Sequence, residues 1–379
     1  MTDAARMAAR RVARTVRNSV NAAPEAGLTL PMTQAVVVKS LEGLSGFEIE
    51  TGNDASWIVA RTPGCGAYDQ RSAHLLIRAD MDALPIGPAG TAVHACGHDV
   101  HTAVLAGVAV AAAEMRDRPP MVLVFQPGEE GFGGADITLH QSEILNSTDI
   151  ACAIALHVDP NSHVGTVMTR GGHLMAGFVE VEVEFVGAGG HSGFPERAIN
   201  PMTPMVLFMQ ALSYISTEVG TTAGLIVNAV PQSQHLKVNV IPDHANVRVS
   251  LRTCDQNALD TARGAVTRIA NGIADAFRCT VTTTDVVTYR PLVNDESAYE
   301  RVRTAIPHVQ QIGTPLQAAE DFSSFVHRFG GFMVLLGAAE LTEDEPSVLP
   351  GCHSPAAVFS DDAIDAGIDT LLSLAVCLQ

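Results

Sequence analysis

The chain has 379 residues, 23 Lys+Arg against 41 Asp+Glu, and a net charge of −18. That acidity excludes nucleic acid and an anionic membrane surface as expected partners, because both need a basic patch. The length exceeds what one hydrophobic core fills and predicts two structural domains, while 47% hydrophobic and 17% charged residues describe a well-buried fold rather than a disordered one.

The first twenty residues carry Arg6, Arg10, Arg11, Arg14 and Arg17 against one acid, Asp3. A transit peptide has that composition, but no apolar stretch accompanies it. Val12, Val16 and Val20 recur every four residues, which favours a first amphipathic helix of the fold. Next, SWIVART (56–62), AHLLIRADMDALPI (73–86), PMVLVFQPGEEG (120–131) and IACAIALHVDP (150–160) read as buried strands running into polar loops. HTAVLAGVAVAAAEMRD (101–117) reads as an Ala-rich helix. Strands alternating with helices predict an α/β fold with a mainly parallel sheet covered on both faces. Chemistry in such sheets gathers at the carboxyl ends of the strands. There the sequence places Asp80 and Asp82, then Glu129 and Glu130, then His157.

The texture changes near Gly177. FVEVEVEFVG (178–187) alternates strictly, as a half-buried antiparallel strand does, and HLKVNV (235–240) and HANVRVSLRT (244–253) continue the pattern. Helical stretches cover 204–216 and 258–277. Residues 177–288 therefore read as an inserted α+β domain, with residues 1–176 and 289–379 forming the other. GGFMVLLGA (330–338) is a further strand, LTEDEPS (341–347) a solvated acidic loop and residues 361–378 a closing helix. Seven cysteines, odd in number and without a Cys-x-x-Cys pair, fit a reducing compartment and predict a cytoplasmic protein.

HACGHDVH (94–101) gathers His94, Cys96, His98, Asp99 and His101 within eight positions. A thiolate and an imidazole two apart suit a borderline-soft divalent metal such as zinc. Glu130, His157 and His353 are further candidate donors beside strand ends. The adjacent carboxylates of GEEG need a cation or a shared proton; one would bind metal and the other move protons. The competing readings are ordinary: an exposed loop histidine, two solvated glutamates on a turn, a solvated strand face around Arg252. Cys65, Cys152, Cys254, Cys279, Cys352 and Cys377 read as small apolar fillers, with Cys352, beside His353, the possible exception.

Taken together, RADMDALPI, HACGHDVHTA, QPGEEGFGGA, ALHVDP, GGHSGFP, NVIPD with LRT, AEDFSSF and GCHSP occur in the order found in one family. The chain resembles the zinc-dependent peptidase/amidohydrolase family of hippurate hydrolase, the aminoacylases and the indole-acetyl-amino-acid hydrolases. The resemblance implies a di-metal catalytic domain interrupted by a smaller dimerisation or lid domain. It implies two divalent ions per subunit, zinc or manganese with cobalt or nickel as alternatives, held by Cys96, His98, Glu130, His157 and His353. Glu129 is implied as general base, and Asp82 as the carboxylate orienting a ligand or that base. His191 is implied to reach the scissile carbonyl from a partner subunit, and Asn239 and Arg252 to contact the substrate, so a homodimer is expected. The expected activity is hydrolysis of N-acyl amino acids or similar small amides. A dipeptidase or carboxypeptidase is the alternative within the class, and a non-catalytic binding protein on the same fold the alternative outside it. Two departures concern the pocket rim: Asn21 stands where the family has His in His-x-x-Pro-Glu, and the loop before His94 is short.

Overall fold

The computed structural model describes residues 2–68, 73–232, 237–306, 308–341 and 349–378. Two compact units emerge. One comprises Met1–Leu174, Val293–Thr314 and Asp321–Gln379, the other Met175–Leu292 and Pro315–Glu320.

The larger unit is built on an eight-stranded sheet. Its order is Glu48–Thr51, Ile58–Thr62, Met121–Gln126, His74–Asp80, Ile150–His163, Gly331–Ala339, Val167–Thr169, Gln310–Gln311. The four strands from Met121–Gln126 to Gly331–Ala339 run parallel, and antiparallel neighbours flank them. Side chains of the inner strands are mostly apolar on both faces, as a sheet covered by helices requires, with Arg78, Asp80 and Gln126 as buried polar exceptions. The helix His98–Ala113 is buried almost throughout, and the helices Asp3–Ala22 and Asp362–Cys377 pack against it. In Asp3–Ala22 the buried stripe is Ala5, Ala9, Ala13, Val16 and Val20. Its basic face is paired: Arg6 with Asp369, Arg10 with Asp365 and Asp369, Arg14 with Asp362 and Asp365, Arg17 with Asp361.

The buried helix starts at His98, three residues earlier than the apolar periodicity predicts, so His98, Asp99 and His101 sit on its first turn. Gly97 makes this start possible. Its φ is +81°, and a Cβ there would lie 2.3 Å from Cγ2 of Val158. Only glycine allows the Cys96–His98 segment to lie against the end of the strand carrying His157.

The smaller unit holds a four-stranded antiparallel sheet, ordered Ile226–Pro231, His244–Thr253, Gly177–Val186, Thr280–Tyr289. Val179, Val181, Val183 and Phe185 join residues of the helices Met202–Ala211 and Gln256–Ala276 in its core. Glu180, Glu182 and Glu184 face the other way and meet Arg248 and His244 across the strands. The predicted strand 235–240 is not continuous. His235 and Leu236 lie outside the described residues, 237–239 is non-strand, and only Val240–Ile241 pairs, with Gly190–His191. Val238 is fully exposed, so the apolar alternation there has no core to face. The acidic loop 341–347 lies outside the described residues from 342 onward. Among the described residues no helix is long and apolar enough to cross a membrane.

Candidate metal centre

Three segments of the larger unit, carrying Cys96, Glu130 and His353, and the strand Ile150–His163, carrying His157, converge at Cys96. Cys96, His98 and His157 place one donor atom each within 4.8 Å of one another, and so do Cys96, Glu130 and His353. The thiol thus belongs to two donor triads at once. His98, Glu129 and Glu130 form a third such group.

The imidazoles of His98 and His157 are each oriented by their other nitrogen. His98 donates Nδ1–H to the backbone carbonyl of Asp82 at 2.8 Å, which leaves Nε2 facing the donors; that Nε2 is buried and makes no hydrogen bond. His157 donates Nδ1–H to the carbonyl of Val158 at 2.8 Å, and its Nε2 lies 3.5 Å from the Cys96 sulfur. His353 Nε2 lies 3.2 Å from Glu130 Oε1. Convergent Nε2 atoms, a carboxylate and a thiol, with a buried nitrogen left unpartnered, form a donor set suited to divalent metal.

Asp82 organises the acidic turn. Its two carboxylate oxygens accept the backbone N–H groups of Glu129 and Glu130, both at 3.1 Å. This fixes the turn, and both side chains stay near His98, at 4.0 and 3.9 Å. Glu129 is buried.

Behind these residues lies a buried polar layer whose members the motifs contain but whose pairing they do not announce. His101 donates Nδ1–H to Asp80 at 2.6 Å and accepts the Val158 N–H on Nε2 at 2.8 Å. It therefore joins the ends of the strands carrying Asp80 and His157 just where they part. Arg78 donates to Gln126, Asp80 and Asp321, each at 2.8 Å. Asp321 also accepts from Gln126 and from the Ala135 N–H. One signal for this layer was in the sequence: Arg78 and Asp80 share a face of an otherwise apolar strand. The N-terminal departure also finds a partner, since Asn21 donates to Asp99 at 2.8 Å beside Arg17 at 3.3 Å.

The charges follow from this packing. Burial works against ionised His98, but Asp80, Asp82 and Glu130 outweigh it and raise its pKa well above the usual value. His353 is raised by the Glu130 carboxylate 3.2 Å away. Burial opposes ionised Glu130, yet His353 and His98 hold it below the ordinary carboxylate value. Buried Asp80 is held low against its desolvation by Arg78, His98 and His101. His101 is pushed down to about 4 by burial and stays neutral. His94 is lowered by burial, and both of its ring nitrogens lack hydrogen bonds.

The remaining expected site residues lie in the smaller unit. Exposed His191 stands opposite Val240 in the short ladder and accepts the Gly193 N–H on Nδ1 at 3.0 Å. The Asn239 carbonyl accepts the Ser192 N–H at 3.1 Å, so His191 and Asn239 are neighbours. Arg252 is elsewhere. It stands beside Phe178, stacked 4.2 Å over that ring, and donates to the Gln317 carbonyl at 3.2 Å.

Residues 76–376 match peptidase family M20/M25/M40. An N-acetyldiaminopimelate deacetylase of Shouchella clausii is 26% identical over 374 residues, covering 94% of this chain and 96% of that protein. The Leuconostoc citreum protein of the same name is 29% identical, covering 73% and 78%. A crystal structure from methicillin-resistant Staphylococcus aureus superposes with a TM-score of 0.80 at 23% identity, covering 99% of this chain and 98% of that one. A Bacillus subtilis structure described as a dinuclear metal-binding peptidase of family M20 gives 0.75 at 24%, covering 98% of each.

Proposed function

Because the chain belongs to peptidase family M20/M25/M40 and is a hydrolase of that family, we propose that it cleaves the amide bond of N-acyl amino acids or similar small amides. The observation that carries this reading is a buried Glu129 standing beside two donor triads that share Cys96. A binding protein would need neither the base nor the shared thiol. The deacetylation named for the curated relatives is one member of this reaction class.

Two divalent ions, zinc or manganese with cobalt or nickel as alternatives, would be held by Cys96, His98, His157, Glu130 and His353. Bound there, they supply Lewis acidity toward the carbonyl and acidify water. The chain's own residues do the rest. Glu129, its backbone held by Asp82, takes a proton from the attacking water and returns it to the leaving amine. His191, whose Nδ1 is occupied as an acceptor, offers Nε2–H to the oxyanion of the tetrahedral intermediate. Arg252 and Asn239 bind the substrate, Arg252 through its carboxylate.

Arg252 stands opposite Phe178 and His244 opposite Val186. At about 3.4 Å per residue, these ends of the sheet are roughly 27 Å apart. His191 follows Val186 in the chain. One small substrate does not contact both ends of that sheet, and the resemblance, in which His191 reaches the site of a partner subunit, supports a homodimer. The free thiols support a cytoplasmic setting.

The test is mass-spectrometric hydrolysis of a mixed pool of N-acyl amino acids, N-acetyldiaminopimelate and dipeptides by the zinc- or manganese-loaded protein. Selective loss of acylated members is expected. Loss of dipeptides alone would reassign the protein as a dipeptidase, and no hydrolysis at full metal occupancy would contradict catalysis.

A further inference from the structure

Cys352 has no part in the hydrolysis derived above, yet it adjoins His353, whose donor atom lies within 4.8 Å of the thiol on which both donor triads depend. The segment Gly351–Pro355 returns to the metal centre through a backbone hydrogen bond, from the His353 N–H to the Ala95 carbonyl, at 2.9 Å. His353 there sits in the left-handed region, at φ +67°. The residues flanking this bond are Cys352 and Cys96, and the Cys96 sulfur lies within 4.8 Å of a ring nitrogen of His353, the residue next to Cys352. A disulfide needs Cα atoms about 4.4–6.8 Å apart, and the single backbone hydrogen bond between the residues next to the two cysteines keeps their segments together. Cys352 is exposed and Cys96 buried, so a solvent-borne oxidant meets Cys352 first.

We propose that Cys352 and Cys96 form an oxidation site for hydroperoxides, in which a disulfide between them withdraws the shared sulfur from the metal centre. In the first step the Cys352 sulfur attacks hydrogen peroxide and the O–O bond breaks. One oxygen stays on Cys352 as a sulfenic acid, and the other leaves as water. The Cys96 sulfur then attacks that sulfenic sulfur, the S–O bond breaks, and a second water leaves. Two thiols lose two electrons and two protons in total, and the peroxide is reduced to two waters. A dithiol reverses the bond by exchange. The loss of metal rests on Cys96 being a ligand, as in the function proposed above.

The test treats zinc-loaded protein with hydrogen peroxide and follows three quantities: intact mass, the linked peptide in a digest, and zinc captured by a chromogenic chelator. The expected result is a two-hydrogen mass loss, a Cys96–Cys352 linked peptide forming in step with zinc release, and reversal of both by dithiothreitol with added zinc. In Cys352→Ser and Cys352→Ala, zinc release should be slower by about tenfold or more. Release at the unsubstituted rate in both variants, or oxidation of Cys96 to sulfinic acid without a linked peptide, would overturn the proposal. Absence of bound zinc at the outset would contradict the metal centre itself, whereas the linked peptide reads the thiol pair independently.

Discussion

Asp82 carries more of the site's geometry than its position outside both donor triads suggests. Its backbone carbonyl sets the tautomer of His98, and its carboxylate holds the turn bearing Glu129 and Glu130. Asp82→Ala removes both acceptors for that turn while leaving the His98 contact in place. Turnover or metal affinity should fall by about 10–100-fold, measured by steady-state kinetics with metal content determined in parallel; an unchanged value of both would remove Asp82 from the orienting role. Arg78 is a different case, because its guanidinium holds two buried carboxylates, Asp80 and Asp321. Arg78→Met should cost about 3–5 kcal/mol of stability by denaturant unfolding, since it strands those charges in the interior. An unshifted midpoint would count against the network. The donor residues were legible in the sequence because each lies in a compact motif of chemically distinctive side chains. The pairing behind them was not, because Gln126, His101 and Asp321 lie in separate motifs and nothing in the sequence says which of them meet.

Among the elements, the N-terminal helix shows how composition can mislead. Its arginines suggest a targeting segment as one reading, but four of them stand in register with Asp361, Asp362, Asp365 and Asp369 of the last helix and its cap. Exposed pairs of this kind contribute little, so Arg10→Ala should change stability by at most about 1 kcal/mol. Arg17 differs, since it also pairs with Asp99, which is 1% exposed. Arg17→Met should cost about 3 kcal/mol, and equal effects of the two substitutions would contradict the distinction. A second helix gives a pH test. Asp295 caps Glu296–Ala305, and the Ser297 hydroxyl and the Ala298 N–H hold its pKa below the usual value. A depressed carboxylate stabilises the fold above its unfolded pKa, about 3.9, and loses that contribution as pH falls through the folded value. Asp295→Ala should therefore cost about 1 kcal/mol at pH 7 and progressively less as pH drops below 4. A cost independent of pH would rule the carboxylate out. Element boundaries were least legible where polar residues begin a buried helix, as at His98, because the period of apolar residues starts only after the first turn.

For the molecule as a whole, two hydrophobic textures in one chain were the readable signal. Continuous apolar runs build the sheet buried on both faces, and strict alternation builds the sheet with one wet face. What alternation does not reveal is whether a core exists to meet it, as exposed Val238 shows, nor that Pro315–Glu320 belongs with the smaller unit. The larger unit has its own extensive hydrophobic core, so chelation should strip metal without unfolding it. Returning metal at about a hundred times its Kd should raise stability by about 2.7 kcal/mol, read as an upward shift of the thermal midpoint; a midpoint indifferent to metal would argue against a folded-state site.

The central claim is that Glu129 moves the proton beside a metal centre whose ligands are other residues. The most direct measurement compares turnover of Glu129→Gln with the unsubstituted protein at matched metal content on the best N-acyl substrate. The account predicts unchanged metal stoichiometry and a loss of about 10²–10⁴-fold in kcat. Near-normal turnover with metal retained would contradict it.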